Sequence, residues 1–434
     1  MSARTGLASE DELTRGSYYV ATAPLLASYP VLQGSESADV CVVGGGLAGL
    51  STAIELRQRG YSVVVLEGKT VGWGASGRNG GQAIVGHSSE SAILSQFSPA
   101  DAKRAWDISV DGMNLMRQRI ADHAIDCDYV PGWLFFAIND RKARALREDF
   151  EFTQTAFDYP HQLWIPPDEV GQWIHSQRFK AGLYDSLSGH LHPLKYTRGI
   201  AAVAAANGVQ IFENSRVTTI NRGAEPLVMT KSGEVRCRFI VLAGNSYLGD
   251  LVPELNTRIM PVGTYVVASE PLAPEVAAGL ITNRAAVCDN NFVLDYFRVT
   301  NDNRVCFGGR VSYSTMTPVN LEQSMKARML RVFPQLGQGI KIEFAWGGFV
   351  DITMNRAPDF GRLADNIYYL QGFSGHGLAL TGIAGRIAAE AIAGQAERFD
   401  LYARLKHMPF PGGRLLRTPA LVLGMLWYRM LDLL

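Results

Sequence analysis

One short run constrains this chain more than any other. Val40 to Val43 is an apolar stretch of strand type, and Gly44-Gly45-Gly46-Leu47-Ala48-Gly49 follows it directly. A helical pattern runs from Leu47 to Arg59 and stops at Gly60; a second apolar run, Val63 to Leu66, ends at Glu67. The frame is strand, tight turn, helix, strand. In Gly44-x-Gly46-x-x-Gly49 the first glycine permits the turn, the second lets backbone approach a pyrophosphate, and the third lets helix pack on strand. Free N–H groups and the helix dipole then favour an anion at that end. Glu67 stands where an acid accepts ribose hydroxyls and disfavours a 2′-phosphate. A purely structural glycine turn is the competing reading; the frame around the motif and the acid in register predict dinucleotide binding.

A second glycine signature lies near the other end. Ile367 to Leu370 reads as a short strand, and Gln371-Gly372-Phe373-Ser374-Gly375-His376-Gly377-Leu378 leads into a helix over 377–392. This is another helix N-terminus with exposed N–H groups. The pair suggests a flavin held from both ends, the second helix stabilising negative charge on the ring as it is reduced. A structural cap is the alternative there, and His376 alone reads equally well as a packing histidine. Between the two, Gly74-Ala75-Ser76-Gly77-Arg78-Asn79-Gly80-Gly81-Gln82 is small enough to lie against a flat ring. Arg78, Asn79 and Gln82 could donate to it; a flexible linker explains those residues equally well. The glycine-dense segment 71–86 predicts a loop rather than a regular element.

Totals exclude several classes. The 434 residues suggest two or three domains, and 47% hydrophobic content supplies a sizeable core. Lys+Arg and Asp+Glu are both 41, so no basic excess is available for nucleic acid. Five cysteines without a C-x-x-C pair indicate neither a zinc site nor a disulfide framework, and fit a reducing cytoplasm. No metal ligand set is evident. The N-terminus, with Arg4, Glu10, Asp11 and Glu12, does not read as a signal peptide. No run reaches the roughly 18–20 apolar residues of a membrane span. The nearest, Leu415 to Leu434, is interrupted or flanked by Arg417, Pro419, Arg429 and Asp432. It reads as a helix packed on the protein's own body, with a membrane-surface or partner contact as the alternative.

The expected class is α/β (α+β), a Rossmann-like nucleotide-binding domain interleaved with a mixed-sheet domain. Residues 37–120, 191–255 and 350–405 form the first, and 121–190 and 256–349 the second. Residues 1–36 are read as an arm over the surface, and 406–434 as a helical tail. A strand is expected over 216–222.

The run Gly72 to Gln82, with Trp346-Gly347-Gly348 and Gln371 to Leu378, resembles the D-amino-acid-oxidase-type FAD-dependent oxidoreductases. Gly189-His190-Leu191-His192-Pro193-Leu194-Lys195-Tyr196 and Phe307-Gly308-Gly309-Arg310 are similar to the gamma-glutamylputrescine oxidase group of that superfamily. The likeness extends from Ser17-Tyr18-Tyr19 to Arg417-Thr418-Pro419. It implies FAD contacts at Gly44, Gly46, Leu47, Ala48, Gly49, Glu67, Gly68, Ala75, Ser76, Arg78, Asn79, Gly80, Gly81 and Gln82. It implies others at the backbone of Val217 and at Ala243, Gly244, Gly375, His376, Gly377 and Leu378. Some relatives attach flavin through cysteine or histidine. Phe349 to Asn355 has no cysteine and 72–82 no histidine, so non-covalent FAD is expected.

The implied chemistry is oxidation of a C–N bond. A neutral amine loses hydride to give an imine, water hydrolyses the imine to an aldehyde plus ammonia, and O2 is reduced to H2O2. The expected substrate is a gamma-glutamylated amine of polyamine catabolism. An oxidase or quinone-linked dehydrogenase of sarcosine, glycine or a D-amino acid is the alternative, as is a flavin-binding redox module without turnover. Tyr265, Tyr296, Arg298, Arg310 and Trp346 are the candidate substrate wall: arginine for a carboxylate, aromatics for an amine. Core packing or an ion pair accounts for each of them as well. Lys195, beside His192, is a candidate cation for O2 reduction.

Overall fold

The structure, a computed structural model, describes residues 16–291, 293–312 and 320–411. Its strands, numbered along the chain, form two sheets. The first contains β1 (Gly34–Val43), β2 (Val63–Leu66), β7 (Gln210–Phe212), β10 (Gly233–Leu242), β16 (Asp359–Ala364) and β17 (Ile367–Gln371), in the order β16-β17-β10-β1-β2-β7. Neighbours from β17 to β7 are parallel, and β16 closes the edge antiparallel. A hairpin of β8 (Thr219–Asn221) and β9 (Leu227–Met229) hangs from β10. The strand expected over 216–222 is thus only its last part.

Val40, Cys41 and Val42 are fully buried because both faces of this sheet are covered. Val40 and Val42 join the core beneath the helices Leu47–Gln58, Pro99–Asp122, Pro193–Ala206 and Gly377–Ile392. Cys41 and Val43 face a second cluster with Val217 and Val228. Small residues let the first and last of those helices cross closely. A Cβ on Gly385 would lie 2.5 Å from the Thr52 nitrogen, and Ser51 Oγ donates to the Gly382 carbonyl at 2.6 Å. Strand order reverses between β1 and β10. Such a switch point opens a crevice beyond the carboxyl ends of the two strands, where open α/β sheets bind ligands.

The second sheet runs β15 (Ile342–Thr353), β11 (Ile259–Ser269), β14 (Val305–Ser312), β13 (Tyr296–Val299), β12 (Ala286–Asp289), β4 (Val130–Ala137), β6 (Ala181–His190), β3 (Gln82–Ala83). β5 (Gln162–Ile165) pairs with β6. All pairs are antiparallel except β4 with β12. Met325 and Met329 of the helix Leu321–Val332 pack behind it with the stacked rings of Phe297 and Phe307.

Two expectations change. The segment 71–86 is not all loop: Ala75–Gly77 is a helical turn, and β3 pairs with Gly189–His190. The arm does not simply lie on the surface either. Tyr18 and Tyr19 begin a short helix, Tyr18–Thr22, capped by Ser17, and both rings are buried against Trp346 and Leu194. Two large aromatic side chains gain more by burial than a polar leader gains by solvation. The apolar run 415–434 lies outside the described residues. No single helix among the described residues is long and apolar enough to cross a membrane.

Candidate cofactor and substrate site

A cavity of about 1320 Å³ opens at the switch point and extends between the two sheets. Sites for one small ligand measure about 300–1,000 Å³, so this one has room for a large cofactor and a second molecule.

The phosphate side is built from the first glycine signature. Gly44 has φ +119°, and a Cβ on it would lie 2.6 Å from the Ala243 carbonyl oxygen. A Cβ on Gly49 would be driven into the Gly44 carbonyl. These two act beneath the surface, while Gly46, Leu47 and Ala48 line the cavity. Gly46 provides no side-chain cap; the Leu47 N–H instead donates to Ser76 Oγ at 3.0 Å. The Ser76 hydroxyl keeps its own proton free for an anion at the helix N-terminus. Glu67 accepts from the Gly45 N–H at 2.7 Å and the Lys69 N–H at 2.8 Å, and remains part-exposed. Burial raises its pKa, opposed by those N–H donors. Each carboxylate oxygen keeps acceptor capacity, as a ribose diol requires.

The ring side comes from the second signature. Ser374, Gly375, His376, Gly377 and Leu378 line the cavity, and the helix starting at Gly377 has no side-chain cap. Burial depresses the His376 pKa to about 4, Glu90 opposing, so the imidazole is neutral at pH 7. His87 Nδ1 lies 3.0 Å from Glu90 Oε1, and both residues also line the cavity. Burial pushes the Glu90 carboxyl up, but His87 outweighs it and holds the pKa below the ordinary range.

Asp351, on β15, also lines the cavity and accepts from the Gly372 N–H. Burial lifts its carboxyl to about 7, although the Gly372 N–H favours the charged form. The folded chain therefore holds a proton that an unfolded carboxyl near 3.8 has lost. Stability from this group is complete below 3.8 and is lost as pH rises through about 7. Asp351→Asn is expected to flatten that part of the profile. Thermal midpoints of both proteins across this range check it, and an unchanged decline in the variant assigns it to another group.

The second sheet supplies the opposite wall: Met260, Val262 and Thr264 of β11, Tyr296 of β13, Trp133 of β4 and Leu183 of β6. Phe150 and Phe152, on the helix Asp140–Phe157, line it too.

Of the residues singled out from the sequence, Ala75, Ser76, Asn79, Gly80, Gln82 and Ala243 line the cavity, with Tyr296 and His376. A Cβ on Gly80 would collide with the Tyr296 ring. Gly81 and Gly244 lie one residue behind lining residues, Gly68 packs by Arg216, and the Val217 side chain is in the core. The Arg78 guanidinium stacks on Trp73, 4.0 Å from the ring centre.

Three expectations about the substrate wall and one about O2 reduction are corrected. Tyr265 is on the face of β11 opposite Thr264, packed with Phe349. Trp346 is buried and donates Nε1–H to the Arg78 carbonyl at 3.0 Å. Arg298 turns away from the cavity, behind Gly80. Lys195 is spent on an ion pair with Asp128 at 3.0 Å, away from the cavity. The Arg310 side chain lies outside the described residues. Asn245, Asp351, His87 and Glu90 line the cavity and were not singled out. Asn245 had a signal, being the residue that leaves β10 after Gly244. Asp351 has no such local signal, since its burial on β15 is set by tertiary packing.

A glycine-lined crevice at a switch point, two helix N-termini without side-chain caps and a separate sheet roofing them define the class: a dinucleotide-dependent oxidoreductase fold. The chain belongs to the FAD dependent oxidoreductase family, whose model matches residues 39–391. It is 42% identical over 418 residues to the gamma-glutamylputrescine oxidoreductase of Escherichia coli (strain K12), covering 96% of this chain and 98% of that one. It is 40% identical to the probable oxidoreductase OrdL of Haemophilus influenzae, covering 96% and 97%. Among solved structures, L-proline dehydrogenase from P. horikoshii matches with TM-score 0.72 at 22% identity, covering 86% of this chain and 98% of that one. Glycine oxidase from Geobacillus kaustophilus matches with TM-score 0.71 at 20% identity, covering 84% and 97%. The last two share the fold. The residues present fit the family's cofactor: Gly46 to Ala48 and Ser76 line the cavity where a pyrophosphate could sit and Gly375 to Leu378 where a ring could, while Glu67, outside the lining, is held by the Gly45 N–H behind that turn.

Proposed function

We propose that the chain is an FAD-dependent amine oxidase. It oxidises a gamma-glutamylated amine resembling gamma-glutamylputrescine to an imine that water hydrolyses to an aldehyde and ammonia, and O2 is reduced to H2O2. The observation that carries this reading is 42% identity to the E. coli gamma-glutamylputrescine oxidoreductase across nearly the whole of both chains. Bound FAD supplies a two-electron acceptor. The protein's share is to orient the neutral amine and exclude water. Trp133, stacked on Phe135 at 5.1 Å, with Phe150 and Tyr296, gives a largely apolar chamber for a long methylene chain. FAD is held without a covalent bond, a reading supported by the absence of cysteine from 349–355. Denaturation should release the yellow colour into the supernatant.

Anaerobic mixing with gamma-glutamylputrescine is expected to bleach the flavin faster than sarcosine, glycine or D-amino acids do, and turnover in air to yield peroxide. No bleaching with any gamma-glutamyl amine removes the substrate assignment. Bleaching without peroxide in air replaces the oxidase with a dehydrogenase.

A further inference from the structure

Arg298, on β13, is a cation in an unusual place. It is 2% exposed, and no carboxylate among the described residues is paired with it. A guanidinium cannot shed its proton, and an isolated buried charge is expensive. What it has are two neutral acceptors. Nε–H donates to the Gly80 carbonyl at 3.1 Å, and Nη2–H to the Tyr19 hydroxyl at 3.2 Å. The neighbouring imidazoles of His190 and His192 add no charge: burial first, and then Arg298, depress both to about 3.

The loop in front of it packs closely on the guanidinium. Gly81 has φ +79°, and a Cβ there would lie 2.3 Å from the Leu191 carbonyl oxygen and 2.9 Å from Arg298 Nε. Asn79 and Gly80 form the cavity wall on the loop's other side. The same loop is braced a second time from the same ring. Tyr19 meets Trp346 edge-on at 5.0 Å, and Trp346 donates to the Arg78 carbonyl at 3.0 Å. Through Arg298 and Trp346, the helix Tyr18–Thr22 is therefore linked to both ends of residues 78–80 without lining the cavity.

We propose that Tyr19 and Arg298 are positioning residues for the flavin: they brace the 78–81 loop from behind, and Arg298 contributes a buried positive charge that favours the reduced ring. A low-dielectric site leaves such a charge poorly screened, so its field acts across one loop. The proposal rests on the family's cofactor and not on which amine is oxidised, so an inactive substrate panel would leave it standing.

Three full-length variants test it without turnover. Arg298→Gln keeps a donor and removes the charge; its bound flavin is expected to have a midpoint potential more negative than wild type in a dye-coupled titration. Arg298→Lys restores the charge and should restore the potential. Tyr19→Phe keeps the ring and the charge but removes an acceptor of a charged donor. It should weaken FAD binding to apoprotein by about tenfold, measured by flavin fluorescence. Should Arg298→Gln fail to fold, the Tyr19→Phe affinity decides. An unmoved potential in Arg298→Gln, a potential in Arg298→Lys as negative as or more negative than that of Arg298→Gln, or wild-type FAD affinity in Tyr19→Phe overturns the proposal.

Discussion

Replacing Gly49 by alanine is expected to give a colourless protein. The added methyl would be driven into the Gly44 carbonyl and would also sit 3.1 Å from Val42 Cγ1. Both obstacles belong to the strand and turn that define the phosphate side, so neither can withdraw without reshaping it. Overpacking a well-packed site costs about 1–3 kcal/mol, and collision with backbone places Gly49→Ala at the upper end. Taken up by the loop, about 3 kcal/mol corresponds to a loss of FAD affinity of roughly a hundredfold. Fluorescence titration of the apoprotein measures it. Gly171→Ala is the control, since a Cβ there meets nothing within 4 Å. A Gly49→Ala protein that purifies yellow with wild-type affinity would show that the turn can relax and would remove this account of the motif.

The second large effect is on stability. Glu55 lies on the helix Leu47–Gln58 and is 3% exposed. Its Oε1 accepts from Arg119 Nη2 at 2.8 Å and Arg386 Nε at 2.9 Å, and its Oε2 from Arg59 Nη1 at 2.8 Å. Arg119 is itself buried, and burial pulls its pKa down. Glu55→Gln leaves three guanidinium groups around a neutral amide. Removing one member of a buried charge cluster costs about 3–5 kcal/mol, a large part of the roughly 5–15 kcal/mol that holds a domain together. The midpoint of urea unfolding reads it directly. Burial opposes the charged form of Glu55, but Arg59, Arg386 and Arg119 prevail and hold its pKa below the ordinary 4.5. Its contribution is thus present above 4.5 and is lost as pH falls through the lower folded value. Glu55→Gln should lack that acid-side loss, and a wild-type acid profile in the variant would place the effect elsewhere.

The two helices that approach the cofactor were legible with their boundaries. Leu47 to Gln58 and Gly377 to Ile392 each follow a glycine turn, and the turn chemistry is local. The substrate wall was less legible. On β11 it is Thr264 that faces the cavity, while the candidate Tyr265 packs on the other face with Phe349. Strand period is two, so an error of one residue exchanges cavity for core. Arg298 and Trp346 were chosen for their chemistry, and chemistry alone does not say which side of a loop a side chain occupies.

From its sequence alone, this protein shows the strand, turn and helix that suit a dinucleotide at the end of β1, because the tightest contact there, Gly49 against the Gly44 carbonyl, lies within the turn itself. The Ser374–Leu378 turn suggested a flavin on local terms, and the resemblance carried by Gly72 to Gln82 and Gln371 to Leu378 implied FAD. Tertiary structure decided what sequence could not. It gathered Glu55, Arg119 and Arg386 from helices far apart in the chain, set Arg298 and Tyr19 behind the 78–81 loop, and paired Lys195 with Asp128 outside the cavity. Those outcomes depend on which faces pack together, and packing is a property of the whole core rather than of any short stretch of chain.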